Sequence, residues 1–176
     1  MPEESLFRSR LGAAFAQLDP TLQWVHGGES RDLQGTVTVE RGASIVAKIL
    51  GALTSLPPAL NNAPIAVRIH IEGDDECWIR TYARKHVMSS TLYKEGGALV
   101  ERIGPAALTF RIIARNAGMD WQLQKVSMLG VPLPVTWFRI SARIDVTQGR
   151  YHFLIDSALR GISRIVRYEG LLDVAS

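Results

Sequence analysis

A single cysteine, Cys77, stands in this 176-residue chain, which excludes an internal disulfide and any cysteine metal cluster and fits a reducing compartment. No two histidines sit four apart on a helical pattern, and the glycine-rich dinucleotide loop, the phosphate-binding loop and the Gly-x-Ser-x-Gly elbow are all missing. The residues therefore nominate no metal, no cofactor and no nucleophile. No apolar run approaches the roughly 18 residues needed to span a bilayer. The start, Met1-Pro2-Glu3-Glu4, lacks the basic and apolar stretches of a secretory leader, so the expectation is a cytoplasmic protein with no transmembrane segment. Lysine is scarce as well: four, against sixteen arginines, spread among seventeen acids for a net charge of +3. Without a basic block interleaved with aromatics, nucleic acid is not an expected partner.

What is present is patterned apolar sequence. Apolar residues make up 47% of the chain and charged residues 21%, ordinary values for a globular domain. The length suits one core, read as a single domain 1–176 with a helical segment at 4–28, a strand and covering helix at 34–57, and a β-meander over 64–174. In the first part, Leu6, Leu11, Ala14, Phe15 and Leu18 fall mostly on one face of a helix at 5–18 that Ser5 can cap. A shorter helical turn at 21–26 closes on Gly27-Gly28. A strand follows at 34–41. Then Ile45, Val46, Ile49, Leu50, Leu53 and Leu56 recur at helical spacing over 43–56, until Pro57-Pro58 ends the pattern.

From residue 64 onward the chain alternates apolar and polar side chains between turn signals such as Gly73-Asp74-Asp75, Glu95-Gly96-Gly97 and Thr147-Gln148-Gly149. Ile65, Val67, Ile69 and Ile71 oppose Arg68, His70 and Glu72; Phe138, Ile140, Ala142, Ile144 and Val146 oppose Arg139, Ser141, Arg143 and Asp145. Segments with hairpin-length links pair antiparallel with their sequence neighbours, and about ten such strands curl. The predicted fold class is α+β and mostly antiparallel β: a meander of about ten strands curled into a barrel or half-barrel, covered by the helix at 43–56 and by the N-terminal helices.

Six side chains are candidates for a ligand site: Trp78, Arg80, Tyr82, Glu101, His152 and His26. Trp78, Arg80 and Tyr82 share one strand face, so the Arg80 guanidinium either stacks on the rings and reaches a head group inside a cavity, or snorkels on a solvent face. Glu101 and Arg102 point to opposite faces, so each needs a partner from another strand. His26 precedes two glycines, at a cavity mouth or a helix end. His152 lies opposite Tyr151 and Phe153, as an outward polar residue or an inward neighbour of a ligand. His152 and Asp156 share a strand face about 13 Å apart, too far to form a dyad.

The order of landmarks carries a resemblance. Leu6-Phe7 with Leu11-Gly12, His26-Gly27-Gly28, Val39-Glu40-Arg41-Gly42, Trp78-x-Arg80-x-Tyr82, Glu101-Arg102-x-Gly104-Pro105, Gly130-Val131-Pro132-Leu133-Pro134, Gly149-Arg150-Tyr151-His152-Phe153 and Val166-Arg167-Tyr168-x-Gly170 together resemble a bacterial family of domains of unknown function, number 4166. The last strand departs from it with Leu171, where relatives commonly carry a Trp. The resemblance implies a tail domain that accompanies a Rossmann-type, nicotinamide-dependent dehydrogenase or epimerase as partner. It supplies no catalytic residue.

Three functions are thereby opened. The first is a non-catalytic binding module whose apolar pocket takes a lipid-like or other hydrophobic small molecule. The second is an accessory or interaction domain with a filled core that acts with a dehydrogenase; the third is an enzyme whose Arg80, Glu101 and His152 converge from separate strands. Inward residue size separates the first two: a pocket needs small residues, such as Ala66, Ala83, Ala106 and Ala142, facing space.

Overall fold

The computed structural model describes residues 5–174. The first residue of the expected 4–28 helical segment and both ends of the 1–176 domain lie outside the described residues. Three helices, α1 (Leu6–Leu11), α2 (Pro20–Val25) and α3 (Ile45–Leu53), accompany eleven strands. The strands are β1 (Arg31–Arg41), β2 (Leu60–Glu72), β3 (Asp75–Tyr82), β4 (His86–Glu95), β5 (Ala98–Ile103), β6 (Ala106–Arg115), β7 (Gly118–Met128), β8 (Val131–Leu133), β9 (Phe138–Thr147), β10 (Arg150–Leu159) and β11 (Ser163–Asp173).

All the strands pair antiparallel, and β1 pairs with both β2 and β11. That double pairing closes ten strands into an up-and-down barrel, with β8 as a short extra strand on the end of β7. Closure satisfies the edge groups that an open sheet would leave bare. The expected meander from residue 64 is present, and the strand ahead of it, β1, is the stave that seals it. One segment expected to be irregular is partly strand: of the loop 130–134, Val131–Leu133 is β8, which pairs back onto Val126–Met128 of β7.

The period-2 pattern sorts the two surfaces. Leu33, Val37 and Val39 of β1, Ile65, Val67 and Ile69 of β2 and Met88 and Leu92 of β4 are buried toward the lumen. The outward residues pair in cross-strand ion pairs, among them Arg143 with Asp120 at 3.0 Å and Arg68 with Asp32 at 2.8 Å. Apolar inside and polar outside is the inverse of a barrel that faces lipid with its wall. None of the described helices is long and apolar enough to cross a membrane.

One end of the barrel is plugged. Ser5 caps α1, its Oγ accepting from the Arg8 N–H at 3.2 Å, and Asp19 caps α2 ahead of Pro20. The single helix expected over 5–18 breaks at Gly12, whose φ of +55° suits a residue without Cβ, and continues as a 3-10 helix to Gln17. Phe7, Phe15, Leu18, Leu22 and Val25 from these segments are buried in the plug.

At the other end α3 lies across the rim, and here the packing departs from the apolar pattern. Ala47 and Gly51 are its buried residues, while Ile45 is 75% and Ile49 54% exposed, with Val46 and Leu53 also open. The reason is the seat. The Arg41 guanidinium lies against Gly51 and donates to the carbonyls of Ala47 (3.5 Å) and Pro57 (3.3 Å), and only a small-residue face admits that approach. A barrel rim is a narrow ledge, so most of the apolar arc of α3 hangs beyond it.

A cavity at the centre of the barrel

The lumen is not filled. A cavity of about 150 Å³ runs between the plug and α3, lined from the strands by residues such as Val67, Trp78, Phe110, Trp121, Phe153 and Tyr168, and from the α3 side by Leu50, Thr54 and Leu56. Ala106 and Ala142 line it, as the small-residue expectation requires. Ala66 does not, because it sits on the outer face of β2, and Ala83 lies in the β3–β4 turn at φ +49°. The lining is apolar with a few polar groups, the usual make-up of a small-molecule site.

The polar groups come from alternation along β3 and β5. Glu76, Trp78, Arg80 and Tyr82 project inward from β3, and Glu101 projects inward from β5 between Leu99 and Ile103. β4 separates these strands, and its inward Ser90 is small enough for the Arg80 side chain to cross it. The guanidinium donates to Ser90 Oγ at 2.9 Å and to Glu101 Oε1 at 3.3 Å, with the two charged side chains only 13% and 12% exposed. The reading of Arg80 as a snorkelling surface residue is thereby corrected: its face is the lumen, because Trp78 and Tyr82 on the same face belong to the core. Its guanidinium also lies 5.2 Å from the centre of the Trp78 ring. Burial by itself would lower the Arg80 pKa, but the combined attraction of Glu101, Tyr168, Tyr82 and Tyr151 outweighs it and the group stays charged.

Below this pair lies the floor. His26, the residue after α2, is wholly buried between Phe7, at a ring separation of 4.0 Å, and Trp78 at 5.7 Å. Its Nε2 is 3.1 Å from the Tyr151 hydroxyl, while Nδ1 has no partner. Burial lowers the His26 pKa to about 3, so the imidazole is neutral. The mouth-lining alternative for His26 thus gives way to a place under the floor at the opposite, closed end. Glu76 accepts from the Trp78 indole N–H at 3.0 Å, and burial raises its pKa to about 7. Burial also raises Tyr168 to about 12, and Tyr82 and Tyr151 further.

His152 is elsewhere. It sits on the outer wall, where Nδ1 is 2.8 Å from Asp145 Oδ1 and Nε2 is 3.1 Å from Glu169 Oε1. Its neighbours Tyr151 and Phe153 line the cavity, so strand alternation turns His152 away from it. The six candidates therefore divide: Trp78, Arg80 and Glu101 line the cavity, Tyr82 and His26 are buried beside it, and His152 belongs to a cross-strand network with solvent. Arg80 and Glu101 converge; His152 does not join them.

Sequence reasoning passed over Glu76, Ser90, Trp121, Tyr151 and Tyr168. A signal existed for Glu76, which shares the period-2 face of Trp78 and Tyr82, and for Tyr151, which shares that of Phe153. Trp121 carries a signal of the same kind, the period-2 face it shares with Met119 and Leu123; it lines the cavity, and its buried indole N–H has no partner.

The family described as Domain of unknown function (DUF4166) matches residues 18–172, and the chain belongs to that family. None of the curated proteins compared with it matches.

Proposed function

We propose that this DUF4166 domain is a binding module that holds a hydrophobic small molecule, lipid-like in character and carrying a hydrogen-bond acceptor, in the lumen of its barrel. The observation that carries the reading is the cavity of about 150 Å³ inside an otherwise well-packed barrel. Engineered apolar cavities of comparable size take up benzene-sized guests, since apolar lining neither holds water well nor fills itself. Arg80 is matched by Glu101, so the lumen favours a guest without strong net charge. Trp121 lines the cavity and its buried indole N–H has no partner, which leaves it as a donor for the guest's oxygen, and the unused N–H groups of Arg80 are others.

The accessory-domain reading requires a filled interior, which the cavity speaks against, and the Rossmann-type dehydrogenase partner rests on the family resemblance alone. The enzyme reading loses its third group with His152 on the outer wall.

Native mass spectrometry of the protein as purified from cells, joined to titration with a small apolar probe of benzene to indole size, tests the proposal. The expected result is a co-purifying hydrophobic mass that leaves on gentle activation, and probe binding that Ala142→Phe and Ala106→Phe abolish while the thermal midpoint holds. A bare protein that takes up no probe would count against the pocket.

A further inference from the structure

The apolar side chains left outside the barrel are not scattered. Among the described residues eleven large hydrophobics are exposed, and nine of them, Ile45, Val46, Ile49 and Leu53 of α3 with Leu129, Val131, Val135, Trp137 and Ile162, belong to connections at the α3 end. Contacts weld these connections into one rim. Ser44 Oγ lies 2.6 Å from Ser163 Oγ, joining α3 to the β10–β11 turn, and the Arg160 N–H donates to the Trp137 carbonyl at 2.9 Å. The Leu129 N–H donates to the Pro105 carbonyl at 2.8 Å, and His86 Nε2 meets the Ser55 carbonyl at 2.7 Å.

The charge of this rim has one sign. The segments that form it, residues 42–59, 83–86, 104–105, 129–137 and 160–163, contain Lys48, Arg84, Lys85 and Arg160, all exposed, and no acid. The connections at the plugged end carry Asp19, Glu29 and Asp74 beside Arg8 and Arg10. A net charge of +3 spread over the chain thus hides a polarised molecule.

We infer that the α3 end docks onto an anionic lipid bilayer, with the outer face of α3 and the Trp137 connection entering the interface while Lys48, Arg84, Lys85 and Arg160 meet the headgroups. Exposed apolar residues flanked by cations are what an interfacial helix needs, and an indole settles at headgroup depth. A second copy of the chain fits worse, because face-to-face pairing would set four cations against four. The rim also frames the cavity through Leu50, Thr54 and Leu56, so docking would set the lumen against the bilayer. The docking itself does not depend on what the lumen holds.

Co-sedimentation with vesicles tests this, using an equal mixture of phosphatidylglycerol and phosphatidylcholine against phosphatidylcholine alone. The protein is expected to bind the mixture, to bind phosphatidylcholine far less, and to release as salt rises. Its tryptophan emission should shift to the blue on binding, and should not in Trp137→Leu. The double variant Lys48→Glu, Arg160→Glu should bind roughly 25-fold less or weaker still, at about fivefold for each cation removed. Ile49→Ser should weaken binding without moving the thermal midpoint, since that side chain is exposed. Cavity-filling Ala142→Phe should bind vesicles as the parent does, which separates this result from probe uptake. Absence of vesicle binding, binding indifferent to the charge reversals, or a dimer broken by Ile49→Asp in a protein that ignores vesicles would each overturn the inference.

Discussion

The two ends of the barrel are made from similar material and treated oppositely. At the plugged end, short helices bury Phe7, Phe15, Leu22 and Val25 completely or nearly so, and even a histidine is taken out of water. At the α3 end, a helix with as clear an apolar stripe rests on Ala47 and Gly51 and leaves Ile45 and Ile49 outside. The wall differs too. β7 pairs with β9 only over Met119–Ile144 to Gln122–Ser141, and beyond that point β8 takes β7 and the ladder between the two staves stops. One end is therefore built for closure, and the other keeps apolar surface and a looser wall beside the cavity.

The largest expected effect lies at the plug. Phe7→Ala removes a fully buried ring in contact with His26 and Trp121, and should cost about 3–5 kcal/mol in urea unfolding. A loss under 1 kcal/mol would mean that the plug is no tighter than the rim. Next is the lumen: Glu101→Ala leaves the Arg80 charge buried without its carboxylate and should cost about 3 kcal/mol, largely recovered in the double variant Arg80→Met, Glu101→Leu. A single variant as stable as the parent would show the lumen to be wet enough to screen the charge.

The plug should also respond to pH with two slopes. Glu76 titrates near 7 when folded, above its ordinary value, so the stability it lends is complete below about pH 4.5 and is lost as pH rises through 7, about 3 kcal/mol across that interval. His26 runs the other way: its folded pKa of about 3 lies below the ordinary 6.5, so stability is lost as pH falls from 6.5 toward 3. The two slopes oppose each other between about pH 4.5 and 6.5, so in urea unfolding Glu76→Gln should turn the nearly flat slope of the parent there into a rise of stability with pH. If Glu76→Gln leaves that slope as it was, the burial ascribed to the carboxylate is wrong. The smallest effect belongs to the rim, where Ile49→Ser should change stability by no more than about 0.5 kcal/mol. A larger loss would mean that the stripe of α3 is packed after all, and the two ends would cease to differ.

Much of the fold was readable because strand alternation is a local property. The faces of β2, β6 and β9 follow from period 2, and the cap at Ser5 follows from its own side chain. The break at Gly12 was missed because the apolar spacing of a helix continues through it. The site was readable in half. Trp78, Arg80 and Tyr82 share a face by spacing alone, but which face is the lumen depends on neighbours that arrive from other strands, and Glu101 reaches Arg80 only across Ser90. His152 looked equivalent to Arg80 in one dimension and is its opposite in three.

By itself, then, the order of residues determined that this chain makes many alternating strands with short links, a helix with an apolar stripe, and no disulfide within itself, because each of these depends on neighbours a few positions away. Only the tertiary structure decided that β1 closes the wall, that a cavity remains behind Trp78 and Tyr168, and that the stripe of α3 faces outward. Those outcomes depend on volumes and contacts summed over segments more than a hundred residues apart, such as β1 with β11, and no local pattern encodes such a sum.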